Sequence, residues 1–581
     1  MHKDHRTDHR GDQRRGVQAP ASEAPSTLSR RQFLGRVGGV TALTLAVGAG
    51  GGPARRGFIG ATAEGAVVGP VTAEERRQQA YDVRHQTALA HKHRPLPAHP
   101  TNGDDERYAN RIGSYSKALP HDARGEVDPD AYAALLDALT TGEAAAFEAL
   151  PLGGTVALVN PLAALAFVLA GADSHHLGIS APPAFASAAV AGEMAELYWQ
   201  ALTRDVPFSR YGTEPLTRAA LQDLAQFPAL PDVEAGTLFR GLTPGDTTGP
   251  YLSQFLVQPI PFGSQTLVQT YRTAQAGDDH LTAYAPWLDI QNGVPASTAT
   301  SFDPVPRYLR TGRDLAEFVH GCQSGCPQTP AEGLSASAFD GGFLAGVTAA
   351  LILLGFGPAA VDANNPYTRL TKHGAFITFG AVHVLDLVAR VVEPALKACW
   401  FQKWLVHRRL RPEEYAGRVH QHRRGQASYP IHSKLLNSQA VDAIGEAYDS
   451  ALLPMAYPEG CPAHPSYPSG HATVAGACIT MLKAFFNEAF PIPQPQVASD
   501  DGLELGEYQG TLTVGGELDK LASNVAMGRV LAGVHWRSDA AEGLKLGEAV
   551  AISLLSDLAT TYPEDFRGFS LTTFNGTRLT I

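Results

Sequence analysis

The chain has 581 residues, 44% of them apolar and 18% charged, with a formal net charge of −11. That length holds two to four average domains or one large helical body with ample core, and the acidic balance argues against a nucleic-acid partner, whose binding domains carry a basic face. The longest apolar run, Phe343 to Phe356, is broken by Gly and Thr and falls short of the ~18 residues a spanning helix needs, so no membrane span is expected.

Residues 1–63 read as a leader. Ser29-Arg30-Arg31-Gln32-Phe33-Leu34 precedes a small, weakly apolar stretch from Val37 to Gly52 and resembles a twin-arginine export signal, so a periplasmic or secreted location is expected. Ala61-Thr62-Ala63 is a small-x-small cleavage candidate close to Arg55 and Arg56. Residues 64–335 are expected to form an N-terminal arm and a helical half. Within it, 64–125 is polar and rich in His, Arg and Pro, and reads as an extended surface arm. Asp128-Pro129-Asp130 then gives an N-cap, a proline at the first helical position and an acid in the first turn. Further helices are expected near 184–204 and 214–227, followed by long loops with short helices over 228–335.

Residues 336–581 are expected to form a C-terminal helical bundle, with helices near 339–356, 374–409, from Ser469 to about Phe486, 517–532 and 538–560. Asn575-Gly576 between short β-prone runs predicts a terminal hairpin. The fold class is therefore mainly α, with helical-bundle architecture, long loops and at most a few short β-hairpins. The chain has five cysteines. Cys322 and Cys326 are spaced for a short-loop disulfide in an oxidising compartment, and Cys399, Cys461 and Cys478 read as packed thiols.

Three segments of the last third carry chemistry. The first is Lys403-Trp-Leu-Val-His-Arg-Arg-Leu-Arg411-Pro412. On a helix, Lys403 and Arg411 are a little over two turns apart and can face one way. Pro412 is expected to end that helix, and His407, Arg408 and Arg409 can be a solvated basic face. The second is Pro468-Ser469-Gly470-His471, where Ser469 can cap a helix whose first-turn N–H groups and dipole favour an oxyanion. The third is Gly528-Arg529, then His535 and Asp539. Gly533 suggests a helix end just before His535, and Asp539 can accept a bond from one imidazole nitrogen and fix the tautomer. Each piece alone is often structural. Together they offer three permanent cations, backbone donors and two imidazoles, which suits a tetrahedral oxyanion such as phosphate or vanadate.

This conjunction resembles the vanadium haloperoxidase and acid phosphatase superfamily, and within it the bromoperoxidases of red algae and cyanobacteria. The Lys403-to-Arg411 spacing is the longer one of that branch, and Phe239-Arg-Gly-Leu-Thr-Pro-Gly-Asp246 with Gly249-Pro-Tyr-Leu-Ser-Gln-Phe255 also looks like it. The resemblance implies a vanadate cofactor held by Lys403, Arg411, Ser469, Gly470, His471 and Arg529, with His535 as axial vanadium ligand. It implies His471 as acid–base, Lys403 as the group that polarises bound peroxide, and His464 as an imidazole tuning His471. Hydrogen peroxide, halide and small organic acceptors would be the substrates, and hypohalous acid the product. Trp400 stands where the algal bromoperoxidases carry arginine and fungal chloroperoxidases tryptophan, which leaves halide preference open. Asn365-Pro-Tyr-Thr-Arg-Leu-Thr-Lys372 lacks the acidic run that serves calcium in the algal relatives, so calcium is not supported there. Relatives of this branch assemble, so a homo-oligomer, dimer or larger, is expected. The alternative is an exported acid phosphatase with a phosphohistidine at His535. A non-catalytic oxyanion binder is a third reading, disfavoured by His471.

Overall fold

The stretch before Asp128 is not extended throughout. Thr72 caps a 21-residue helix, α1 (Ala73–His93), in a capping box with Glu75. This corrects the expected arm over 64–125. The helix buries none of its residues, so it lacks the apolar stripe that would have announced it. Asp128 caps α2 (Pro129–Thr141) through the N–H groups of Asp130 and Ala131, with Pro129 at its start. Ser187 caps α3 (Ala188–Leu202), whose side chains are almost all buried, including Glu193 and Glu196. A Thr311–Asp314 capping box opens α4 (Gly312–His320), and α5 is Gly341–Gly355. The structure is a computed structural model that describes residues 72–230, 233–241, 243–321 and 341–581. The twin-arginine segment, residues 61–63 and the Cys322/Cys326 pair lie outside them.

The single helix expected over 374–409 is three elements: α6 (Ala381–Arg390), α7 (Val392–Trp400) and a π-helical segment, Phe401–His407. Pro394 has no N–H for the carbonyl four residues back, which accounts for the break between α6 and α7. The π segment ends at Arg408, whose φ is 42°. Pro412 begins α8 (Pro412–Arg423) rather than ending a helix. A proline is unfavourable inside a helix but welcome at its first position, and here the second use prevails.

Three helices complete the bundle: α9 (Gly470–Phe485), α10 (Val514–Leu531) and α11 (Arg537–Ala559). α9 and α11 pack at backbone distance. A Cβ at Gly476 would lie 2.3 Å from the Leu544 carbonyl oxygen, and one at Gly547 2.0 Å from that of Thr473. Larger residues there would push the two helices, and the residues at their starts, apart. Among the described residues, three antiparallel hairpins are present: β1–β2 (Ile260–Phe262, Gln265–Leu267), β3–β4 (Gln496–Ala498, Leu505–Glu507) and β5–β6 (Ser570–Thr572, Arg578–Thr580). The last is the expected terminal hairpin. The main hydrophobic core draws on α3 through α11 as one cluster, and residues from Gly65 on form one compact unit. No helix among the described residues is long and apolar enough to cross a membrane.

Candidate active site

Lys403 is carried by the π segment, Arg411 by the residue before α8, Ser469, Gly470 and His471 by the start of α9, Arg529 by the last turn of α10, and His535 by the turn between α10 and α11. Gly533, at φ 84°, makes that turn. Lys403 and Arg411 therefore do not share a helix face. They meet because the chain unwinds at Arg408 and returns.

His535 is the centre of the group. Its Nδ1 lies 2.9 Å from Asp539 Oδ2, and the same oxygen accepts from the Trp536 N–H at 3.1 Å. A carboxylate only accepts, so Nδ1 carries the ring proton and Nε2 presents its lone pair. Arg411 Nη1 lies 3.0 Å from that Nε2. Burial, then the nearby Arg411, Lys403, Arg529 and His471, hold the His535 pKa well below its usual value. The ring is thus a neutral base with one nitrogen committed to Asp539 and the other facing cations.

Those cations lack counter-charges. Lys403 Nζ, fully buried, donates to the carbonyl oxygens of Pro465 and Ser466, both at 2.7 Å. That occupies two of its three N–H bonds. Arg411 donates to the carbonyls of His464 (3.0 Å) and Val534 (2.7 Å). Arg529 Nη1 donates to the Tyr457 hydroxyl at 3.2 Å, and its Nε has no hydrogen-bond partner among the described residues. None of the three is paired with a carboxylate among the described residues. Asp539 is engaged by Arg409 at 2.8 Å as well as by His535. Buried charge of one sign without a partner is costly, and an oxyanion with several oxygens would relieve it. Ser469 caps α9 by accepting from the Ala472 N–H at 3.4 Å. The N–H groups of Gly470 and His471 belong to a first turn that has no intrahelical acceptors. The donor set fits a compact multivalent anion.

Burial, reinforced by Arg411 and Arg529, lowers the Lys403 pKa to about 7 despite an opposing contribution from Cys399. In the empty site much of Lys403 is then neutral at pH 8. A bound anion favours the charged form, so binding must bring a proton and weakens as pH rises above about 7. Phosphate binding to vanadate-free protein at pH 8 is expected to take up about one proton more in the parent than in Lys403→Arg, whose guanidinium stays charged. Calorimetry in buffers of different ionisation enthalpy measures the difference. Equal uptake would remove the assignment of Lys403.

His464 packs its ring 4.8 Å from that of Trp400 and places Nδ1 2.9 Å from Arg411 Nη2. Burial and then Lys403, Arg411 and His535 depress its pKa. The same Nδ1 lies 3.1 Å from the Pro465 carbonyl oxygen. Trp400 donates Nε1–H to the Val159 carbonyl at 3.1 Å, and Lys403 Nζ lies 5.9 Å from its ring.

The basic face expected at His407–Arg409 is not solvated. Arg408 pairs with Asp105 at 2.8 Å. His407 is buried with its pKa lowered to about 3, first by burial and then by His99 and the two arginines. Arg409 joins Asp539 (2.8 Å) to Glu193 (2.9 Å) and lies 4.8 Å over the Trp536 ring. Arg409, Glu193 and Ser466, whose hydroxyl donates to Asp539 Oδ2, are supports that sequence reading missed, as is Tyr457 beneath Arg529. Arg537 binds Glu196 and the Arg240 carbonyl, which brings the 239–255 patch behind α11. Cys399, Cys461 and Cys478 are buried.

Residues 384–562, which contain all the candidate anion-binding residues from Lys403 to Asp539, match the VCPO second helical-bundle domain family. The chain is 35% identical over 526 residues to a vanadium-dependent bromoperoxidase of Ascophyllum nodosum, covering 81% of this chain and 91% of that one. The chain belongs to the vanadium-dependent haloperoxidases. It is also 33% identical to a vanadium-dependent bromoperoxidase of Corallina pilulifera, over 87% of this chain and 99% of the relative. The solved homohexameric structure of the second vanadate-dependent bromoperoxidase of Ascophyllum nodosum matches with a TM-score of 0.80 at 29% identity, covering 94% of this chain and 95% of that one. Membership of the haloperoxidases accounts for a mainly helical chain that buries Lys403, Arg411 and Arg529 without carboxylate partners among the described residues.

Proposed function

We propose that the chain is a vanadate-dependent bromoperoxidase, using hydrogen peroxide to oxidise bromide to hypobromous acid, which halogenates small organic acceptors. The observation that carries this is the convergence of Lys403, Arg411 and Arg529, without carboxylate partners among the described residues, around the His535 Nε2 lone pair. His535 Nε2 would be the donor to vanadium. Lys403, Arg411, Ser469, Gly470, His471 and Arg529 would hold the oxygens. Vanadate supplies a Lewis acid that makes peroxide electrophilic without changing the metal's oxidation state.

The rest is the work of this chain's residues. Asp539 keeps the His535 proton on Nδ1. Lys403 would present an N–H to peroxide held there and draw charge from it. His471, in the first turn of α9, would take and return a proton. One peroxide, one bromide and one proton give hypobromous acid and water. Homologous self-association is proposed from the hexameric neighbour, and export from the Arg30-Arg31 segment.

Purified protein reconstituted with vanadate is expected to brominate a phenol-type dye with peroxide and bromide, while the vanadate-free protein does not. Phosphate should slow reconstitution by taking the same cations, in proportion to its concentration. A protein that hydrolyses a phosphate ester when vanadate-free and never consumes peroxide with bromide would be the phosphatase instead.

A further inference from the structure

A cavity of about 810 Å³ opens beside the site on the far side of Trp400. Val159, Leu162, Ala163, Phe343 and Leu396 line it together with that tryptophan. Its size and apolar walls are those of a small-molecule site rather than an ion path. Trp400 is the shared partition. Its ring lies 4.8 Å from that of His464, and its Cζ3 is 3.3 Å from where a Cβ on Gly470 would stand. The Nε1–H bond to Val159 pins the indole. Lys397 and Glu393, paired at 2.8 Å, supply a polar edge, and Lys397 also donates to the Phe167 carbonyl at 3.0 Å.

We propose that this cavity binds the organic acceptor, a neutral electron-rich aromatic of the phenol or naphthol class, its ring on the Leu396–Trp400 wall and its hydroxyl toward Glu393 and Lys397. The inference rests on the bromide-oxidising reading. Hypobromous acid formed beyond Trp400 reacts with the held ring. The O–Br bond breaks, a C–Br bond forms at a carbon ortho or para to the hydroxyl, and the displaced ring proton leaves with the hydroxide as water.

The test uses full-length holoenzyme, the variants Ala163→Phe and Ala389→Phe, each adding a ring to the cavity, and 2-naphthol as probe. Bromide-dependent peroxide consumption without acceptor should match the parent in both. For 2-naphthol, kcat/KM should fall on the order of tenfold, and the isomer ratio should move toward that given by reagent hypobromous acid. Saturable binding of 2-naphthol to the parent, measured without peroxide by saturation-transfer NMR, should weaken in both variants. A parent that shows no saturable binding, including one whose cavity is covered by a second copy of the chain, overturns the proposal. So does a parent whose isomer ratio already equals that of the free reagent. Failure of the bromide reading looks different, because the parent would then consume no peroxide with bromide at all.

Discussion

His535→Ala is expected to lose vanadate affinity by on the order of a thousandfold, about 4 kcal/mol, and with it bromide-dependent peroxide consumption. The reason is that one lone pair is singled out. Asp539 takes the Nδ1 proton, so Nε2 is the one nitrogen of that ring that can bond a metal, and the depressed pKa keeps it unprotonated into mildly acid solution. The cations would still attract the anion, so weak, salt-sensitive binding should persist. Folding should survive, because Asp539 keeps Arg409 and the Trp536 N–H as partners. Equilibrium dialysis with vanadate and a thermal melt check the two halves of this expectation. A variant that retains tight vanadate binding would strip His535 of the axial role.

The parts of this site that the sequence disclosed are those whose chemistry is conspicuous in one dimension. Ser469-Gly470-His471 before an alanine-rich run is a capping signal, and the cap is there. Gly533 before His535 marks a helix end, and its φ of 84° makes the turn. Asp539, four residues on in the first turn of α11, reaches the imidazole as expected. Lys403 and Arg411 do lie close together, but not on one helix face as the spacing suggested. Helical periodicity cannot distinguish a continuous helix from a π segment that ends in a left-handed residue, since both keep the same apolar residues inward.

Arg409 was hidden for another reason. Its two carboxylates lie 216 and 130 residues away along the chain, and a run of three basic groups near a helix end looks like a solvated face unless its acidic partners are already placed. Likewise Glu193, inside the mostly apolar α3, is a buried charge whose purpose appears only once α11 is docked against it. α1 left no apolar stripe because it buries nothing, and its Thr72–Glu75 capping box was the one local sign of it. What is legible locally is capping and turns; what is not is which charge is neutralised by which across the bundle.

Arg409 supports the largest expected loss of stability. It is 2% exposed and neutralises Glu193 and Asp539 together. Arg409→Met keeps most of the volume but leaves two buried carboxylates without their cation, a change that costs roughly 3–5 kcal/mol. It also frees Asp539 from the group that fixes its orientation, so the His535 tautomer is held less well and vanadate affinity should fall about 10–100-fold. Adding Glu193→Gln separates the two effects. Glutamine keeps a hydrogen-bonding side chain for the Ser538 N–H, which Glu193 accepts in the parent, and removes one unpaired charge. The double variant should therefore recover part of the denaturation midpoint while its vanadate affinity stays low, because Asp539 is still without Arg409. Midpoints by denaturant titration and affinities by dialysis give both numbers on the same preparations. If affinity recovered in step with stability, Arg409 would be a structural ion-pair member alone and its hold on His535 through Asp539 would have to be abandoned.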